Sequence, residues 1–320
     1  MIDSPALRSA EEAFVSSSEL EKVKLIAFRS ANLPLFVGQE KGIFAQNGLE
    51  VDLTYTRNSV EQIRGILAGK WDLCHTAADN VLAYVEGESA DLFMFMGVAR
   101  GSLSLYARPE IARIADLKGK KLGVDAVTTG YAFVLQKILK ANGVLPGDYE
   151  LVSVGNTQLR YEALKKGDVF AALLTPPENG RAEGESLKLL AISEQYLPDY
   201  QGSVGSTTRA WAASHEETLV RYIRAYRQSL DWIFKQENRE EGAVLLARRG
   251  ELPPDIARRT MEESILDPRF GIIPDAKLNT KGLATVIALR GEMGFLKPPL
   301  PGVEKFYDPC YFEKAVSAGA

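Results

Sequence analysis

The chain has 320 residues, 46% apolar and 25% charged, with a formal net charge of -4, which is ordinary for a globular protein with one large α/β unit or two lobes. That balance leaves no basic footprint for nucleic acid and no acidic tail. The two cysteines, Cys74 and Cys310, make neither a disulfide framework nor a zinc spacing.

Residues 1–21 read as an N-terminal extension. "MIDSPALRSAEEAFVSSSEL" has no basic stretch followed by an apolar one, so no signal peptide is read there. A cytoplasmic protein and a secreted one whose leader lies outside this sequence both fit such a start. No run reaches the length of a membrane-spanning helix. "VKLIAF" (23–28) predicts a strand and "PLFVGQEKGIFAQNG" (34–48) a helix closed by Gly48. A strand at 49–55, a helix at 59–70, a strand at 72–77, a helix at 79–89 and a strand at 92–99 follow. Strands separated by helical patterns of about ten residues argue for βαβ units and a parallel sheet.

The order then restarts, with strands at 121–125, 149–155 and 169–175 and helices at 130–143 and 157–167. "LEVDLTYTRNSVEQIRGILAGKWDLCHT" lies over "YELVSVGNTQLRYEALKKGDVFAALLT" at an offset of about 98 residues, a repeat that implies two lobes of like topology. "GSVGSTTRAWAAS" reads as a crossover strand returning to the first lobe, followed by helices at 216–236, 239–250, 254–266 and 279–294. In the first of these Leu219, Tyr222, Ile223, Tyr226, Leu230 and Ile233 form an apolar stripe, read as packing. The expected division is lobe 1 at 22–103 plus 204–318 and lobe 2 at 104–203. Hinges fall at Gly101 to Ser104 and at Pro198 to Gly202.

In open α/β sheets ligands collect beyond the carboxyl ends of the strands. The loops that should meet there are 29–34, 56–59, 76–80, 99–104, 125–130, 155–160 and 175–180. Their Ser30, Asn32, Ser59, Thr76, Asn80, Thr128, Thr129, Gly130, Asn156 and Thr175 suit helix starts, whose free amides attract carboxylates, sulfonates or phosphates. "SVEQ" (59–62) fits a capping box. Each such residue can equally be a plain helix cap. Arg29, Arg100 and Arg160 are candidate anion clamps through their planar forks, and each can instead be a surface or interlobe ion pair. Asp79, Asp125 and Glu178 can meet a ligand amine or pair with those arginines; Tyr131 can stack on a ligand, and Phe133 packs inside the second lobe. No glycine-rich phosphate loop is present.

"WDLCHTAADN" (71–80) places Cys74 beside His75. Successive strand side chains point to opposite faces, so the two cannot share a proton as a catalytic dyad. Cys74 reads as buried packing, and His75 as structural or a polar contact on the cleft wall.

"PLFVGQEKGIFAQNGLEVDL", "ILAGKWDLCHTAADNVLAY" and "DLKGKKLGVDAVTTGYAFVLQKIL" resemble the nitrate/sulfonate/taurine and thiamine-precursor (NMT1/THI5-like) binding proteins. The matching residues are Pro34 to Gly38, Gly42 to Phe44, Gly48 to Val51, Gly69, Asp72, Thr76 and 116–124. The resemblance spans roughly residues 22 to 315, by pattern more than motif in the C-terminal third. It implies a type II periplasmic-binding-protein fold with a hinge between two mostly parallel sheets. It also implies a small-molecule ligand, an ABC permease as partner, and a periplasmic or cell-surface location. Family ligand contacts map to Arg29–Asn32, Thr76–Asn80 and Thr128–Tyr131. The expected ligand is a small organic anion, a carboxylate or sulfonate, aromatic or amine-bearing ones included. No cofactor or metal is expected, and the chain should be monomeric and non-catalytic. The rival is a decarboxylase or desulfinase-like enzyme on the same fold.

Overall fold

The computed structural model of this chain describes residues 20–29, 32–56, 58–268 and 271–317. Residues 1–19 of the N-terminal extension, and Ser30 among the expected ligand contacts, lie outside the described residues. The chain opens with β1 (Glu21–Phe28), α1 (Leu33–Glu40), α2 (Ile43–Gln46), β2 (Leu49–Thr56), α3 (Ser59–Leu67), β3 (Leu73–Ala77), α4 (Ala78–Glu88) and β4 (Phe93–Arg100). It continues through β5 (Ser104–Ala107), β6 (Lys121–Val124), α5 (Gly130–Ala141), β7 (Glu150–Ser153), α6 (Thr157–Lys166), β8 (Ala171–Leu174), α7 (Glu178–Glu183) and β9 (Lys188–Ile192). After β10 (Gln201–Thr207) come α8 (Arg209–Ser214), α9 (Glu216–Phe234), α10 (Arg239–Gly250), α11 (Pro254–Arg259), α12 (Thr280–Glu292) and α13 (Cys310–Ser317).

Two five-stranded sheets result, ordered β2-β1-β3-β10-β4 and β7-β6-β8-β5-β9. In each, three consecutive strands run parallel and the fourth position is antiparallel to both neighbours. The sequence repeat has a direct structural counterpart: β2-α3-β3 and β7-α6-β8 occupy equivalent places around β1 and β6. Gly69 and Gly167, which it aligns, close α3 and α6 in the left-handed region, φ 70° and 84°. The antiparallel fourth strands, β5 and β10, are the first strand after each crossing between the sheets.

Alternation explains how one sheet buries two faces. Val23, Leu25 and Ala27 of β1 join a cluster built from α1, α9, α10 and α13, whereas Ile26 joins one on the opposite face. That second cluster runs on through Val286 of α12 to Ile138 of α5, tying the halves together with apolar contacts. The predicted helix over 34–48 is two helices, because Gly42 takes φ 66° between them. Helix 254–266 holds α-geometry only to Arg259; Thr260–Ile265 widens into a π-turn. Strands β5 and β9 and helices α7 and α13 carry too few periodic residues to stand out in sequence.

Candidate functional site

A cavity of about 340 Å³ opens between the sheets. It is bounded by the carboxyl ends of β1, β3 and β4 on one side and by the residues after β6 and β8 on the other, as expected for open α/β sheets. Of the expected contacts, Arg29, Asn32, Ser59, Asn80 and Arg100 line it from the first half. Asp125, Thr129, Gly130, Tyr131, Asn156, Arg160 and Thr175 line it from the second.

Four expected contacts stand elsewhere. Thr128 is exposed outside the cavity. Thr76 is buried, its hydroxyl accepting from Asn80 Nδ2 at 3.0 Å. Asp79 is 2% exposed and bound by Arg290 Nη1, 2.9 Å from each carboxylate oxygen. Glu178 lines a separate pocket of about 70 Å³ with Arg29, Arg181, Arg249 and Glu251. There, burial pushes its carboxyl up to about 7, against the pull of Arg181 and Arg160. Its Oε2 has no hydrogen-bond partner among the described residues.

Of the residues expected at helix starts, Thr129 and Asn156 act as side-chain caps, whereas Asn32 and Ser59 do not. Asn58, not Ser59, caps α3 by accepting from the Val60 and Glu61 amides, and Gln62 donates Nε2 to Ile26 O at 3.2 Å and His75 O at 3.0 Å instead of closing a box with Ser59. Thr129 caps α5 through the Ala132 amide, while the Gly130 amide donates to Asp79 across the interface. Asn156 caps α6 through Leu159. The start of α4 has no side-chain cap and meets the cavity through Ala77 and Asn80.

Among the described residues the charged lining consists of Arg29, Arg100 and Arg160 against a single carboxylate, Asp125. Arg29 pairs with Glu251 at 2.6 Å at the exposed rim. Asp125 is partly occupied by Thr129 Oγ1, which donates to it at 2.6 Å. Arg160 is different: 2% exposed, it donates Nε to Leu173 O at 2.9 Å and Nη1 to Gly155 O at 2.7 Å. Two main-chain carbonyls thus fix the plane of the fork without neutralising it. Burial pulls its affinity for the proton down, and Asp125, Tyr131 and Glu178 act on it only through space. The guanidinium is buried, held in one plane and without an ion pair among the described residues, a geometry that a carboxylate or sulfonate can match.

Cys74 and His75 diverge as strand alternation requires. Cys74 is fully buried, donates to Ser206 O at 3.5 Å, and its thiol is pushed up to about 12 by burial. His75 faces the cavity, its Nε2 2.8 Å from Tyr222 Oη. Burial alone brings its imidazole down to about 3, so the ring is neutral.

Several lining residues had no signal in sequence. Tyr226, part of the packing stripe, also edges the cavity and meets His75 edge-on at 5.4 Å. Ser264 and Ile265 reach it from the π-turn, which displaces them from α-helical phase. Ser203 comes from β10, whose proximity to β3 no local pattern reveals.

Residues 30–239 match the profile of the NMT1/THI5-like proteins. The formylaminopyrimidine-binding protein of Halalkalibacterium halodurans is 24% identical over 240 residues, 72% of this chain and 71% of that protein. A putative ABC transporter periplasmic binding protein of Brachyspira hyodysenteriae is 23% identical over 201 residues, 58% of this chain and 57% of that protein. Among solved structures, the alkanesulfonate-binding protein SsuA from Xanthomonas axonopodis pv. citri, bound to MOPS, superposes with a TM-score of 0.74 at 16% identity, covering 91% of this chain and 99% of its own. The desulfurization enzyme DSZB shares the fold at a TM-score of 0.66 and 13% identity, covering 94% of this chain and 100% of its own.

Proposed function

From the premise that the chain belongs to the NMT1/THI5-like family, within which it is a solute-binding protein of the ABC import type, we propose that it captures a small organic anion, a carboxylate or sulfonate, in the cavity between its two sheets and delivers it to a membrane permease. The observation that carries this reading is Arg160, a buried guanidinium oriented by two backbone carbonyls and lacking an ion pair among the described residues. Among the described lining residues, Arg100 and Arg160 outnumber the one carboxylate, Asp125, even with Arg29 paired to Glu251, which favours a net negative guest. The cavity, about 340 Å³, falls in the range of small-molecule sites and exceeds what a bare inorganic oxyanion fills. The relatives' named ligands, a formylaminopyrimidine and alkanesulfonates, are compatible with that size. Binding without turnover is the preferred reading because Cys74, the nucleophile an enzyme here would draw on, is sealed on the opposite face of β3.

The test is a thermal-shift screen of carboxylates, sulfonates and nitrate. A ligand at 100 times its Kd raises apparent stability by about 2.7 kcal/mol. At least one organic anion should raise the melting temperature of the wild type and lose that effect in Arg160→Lys. If no anion shifts the wild type, the reading fails.

A further inference from the structure

Tyr222 is fully buried on α9, and among the described residues its hydroxyl has one hydrogen-bond partner, His75 Nε2 at 2.8 Å. A neutral imidazole carries a proton on one nitrogen and a lone pair on the other. If that proton sat on Nε2, it would point at the phenol oxygen, and the Tyr222 O–H would be left without an acceptor in a site closed to water. With the phenol donating to Nε2, both ends of that buried contact are satisfied, and the ring proton must lie on Nδ1. Nδ1 has no partner among the described residues and is absent from the polar atoms sealed inside the fold, while His75 lines the cavity. Tyr226 stands edge-on to the ring, and no charged side chain perturbs it.

We propose that Tyr222 locks His75 in the Nδ1–H tautomer, giving the cavity wall opposite Arg160 a permanent neutral hydrogen-bond donor. That donor selects anions bearing an acceptor on the side away from their charge, a carbonyl oxygen or a pyridine-type nitrogen. The selection rests on the reading of this cavity as an anion site; the tautomer does not.

The first test is long-range ¹H–¹⁵N correlation of the histidine ring in the full chain, with His215→Gln leaving one ring to observe. The expected spectrum has a protonated Nδ1 and an unprotonated Nε2, unchanged between pH 5 and 8, and Tyr222→Phe populates both tautomers. A wild-type ring protonated at Nε2, or one that charges within that range, overturns the proposal. In the second, benzoate, nicotinate and isonicotinate are titrated into wild type and Tyr222→Phe by calorimetry. A pyridine nitrogen should improve affinity about tenfold over benzoate in the wild type and less than about threefold in Tyr222→Phe, the scale of one hydrogen bond. Equal affinity for all three in the wild type overturns the selection. A wild type that no anion of the wider screen stabilises counts instead against the organic-anion reading.

Discussion

Arg290 Nη1 lies 2.9 Å from both carboxylate oxygens of Asp79, and its guanidinium stacks over the rings of Phe133 and Phe295 at 5.6 and 5.5 Å. Asp79 also accepts the Gly130 amide, so one carboxylate joins α4 and α12 of the first half to the start of α5 in the second. Removing one partner of a buried pair strands the other, which costs about 3–5 kcal/mol. Asp79→Leu and Arg290→Met should each lose that much in urea denaturation. The double variant Asp79→Leu/Arg290→Met should lose less than the sum of the two, and simple additivity would show that the pair is not coupled.

Arg160 is expected to dominate anion affinity, whereas Arg29 is already paired with Glu251 and Thr128 is exposed and not part of the cavity lining. Arg160→Lys keeps the charge but loses the fork held by Leu173 and Gly155. It should weaken binding of whichever anion stabilises the wild type by about 1.5–3 kcal/mol, the scale of hydrogen bonds to charged groups. Arg29→Ala should cost less, and Thr128→Ala nothing measurable by calorimetry. A larger effect from Arg29 than from Arg160 would move the clamp to the rim.

The crossing strands pass at van der Waals contact. A methyl group at Gly202 would lie 2.5 Å from Gly101 Cα and 2.8 Å from Arg100 O, both backbone atoms that cannot turn aside. Gly202→Ala should therefore destabilise by about 1–3 kcal/mol. Gly87→Ala, exposed on α4 with nothing within 4 Å, is the control and should instead gain up to about 1 kcal/mol from helix propensity.

Glu178 gives a pH signature. Its carboxyl rises from 4.5 to about 7 through burial, so the fold retains a proton that the unfolded chain releases. The stability this adds is complete below pH 4.5 and disappears as pH rises through about 7. Glu178→Gln stays neutral throughout and should gain on wild type above pH 7, by on the order of 3 kcal/mol at most. Parallel stability curves for the two proteins from pH 5 to 8 would contradict the buried carboxylic acid.

Cys74, 0% exposed with its thiol held near 12, should be inert to aromatic disulfide reagents in the native protein and react only as the chain unfolds. Partly exposed Cys310 supplies whatever native reactivity is measured.

Local pattern went furthest where the chain repeats itself. Alternation in β1 and β3, the aligned Gly69 and Gly167, and the βαβ spacing all point to paired sheets, and the Cys74–His75 divergence follows from strand geometry alone. What no local pattern can show is which side chain has found a partner far away in sequence. Asp79 looks like a cleft carboxylate until Arg290, 211 residues on, claims it. Arg160 cannot be told from Arg29 and Arg100 as a clamp until β8 offers it the Leu173 carbonyl. Ser264 depends on a change of helical pitch for which "TMEESI" gives no warning.

The contact of Gly101 with Gly202 has a mechanical consequence. The two connecting strands touch beside Ser102 and Ser203, both at the base of the cavity, so a turn of one half about that point has almost no lever arm there and a long one at the outer edge. We propose that the halves turn about this contact, so that the residues beside it keep their geometry while Arg29 and Asn156, carried by opposite halves, move further and close over a guest already seated.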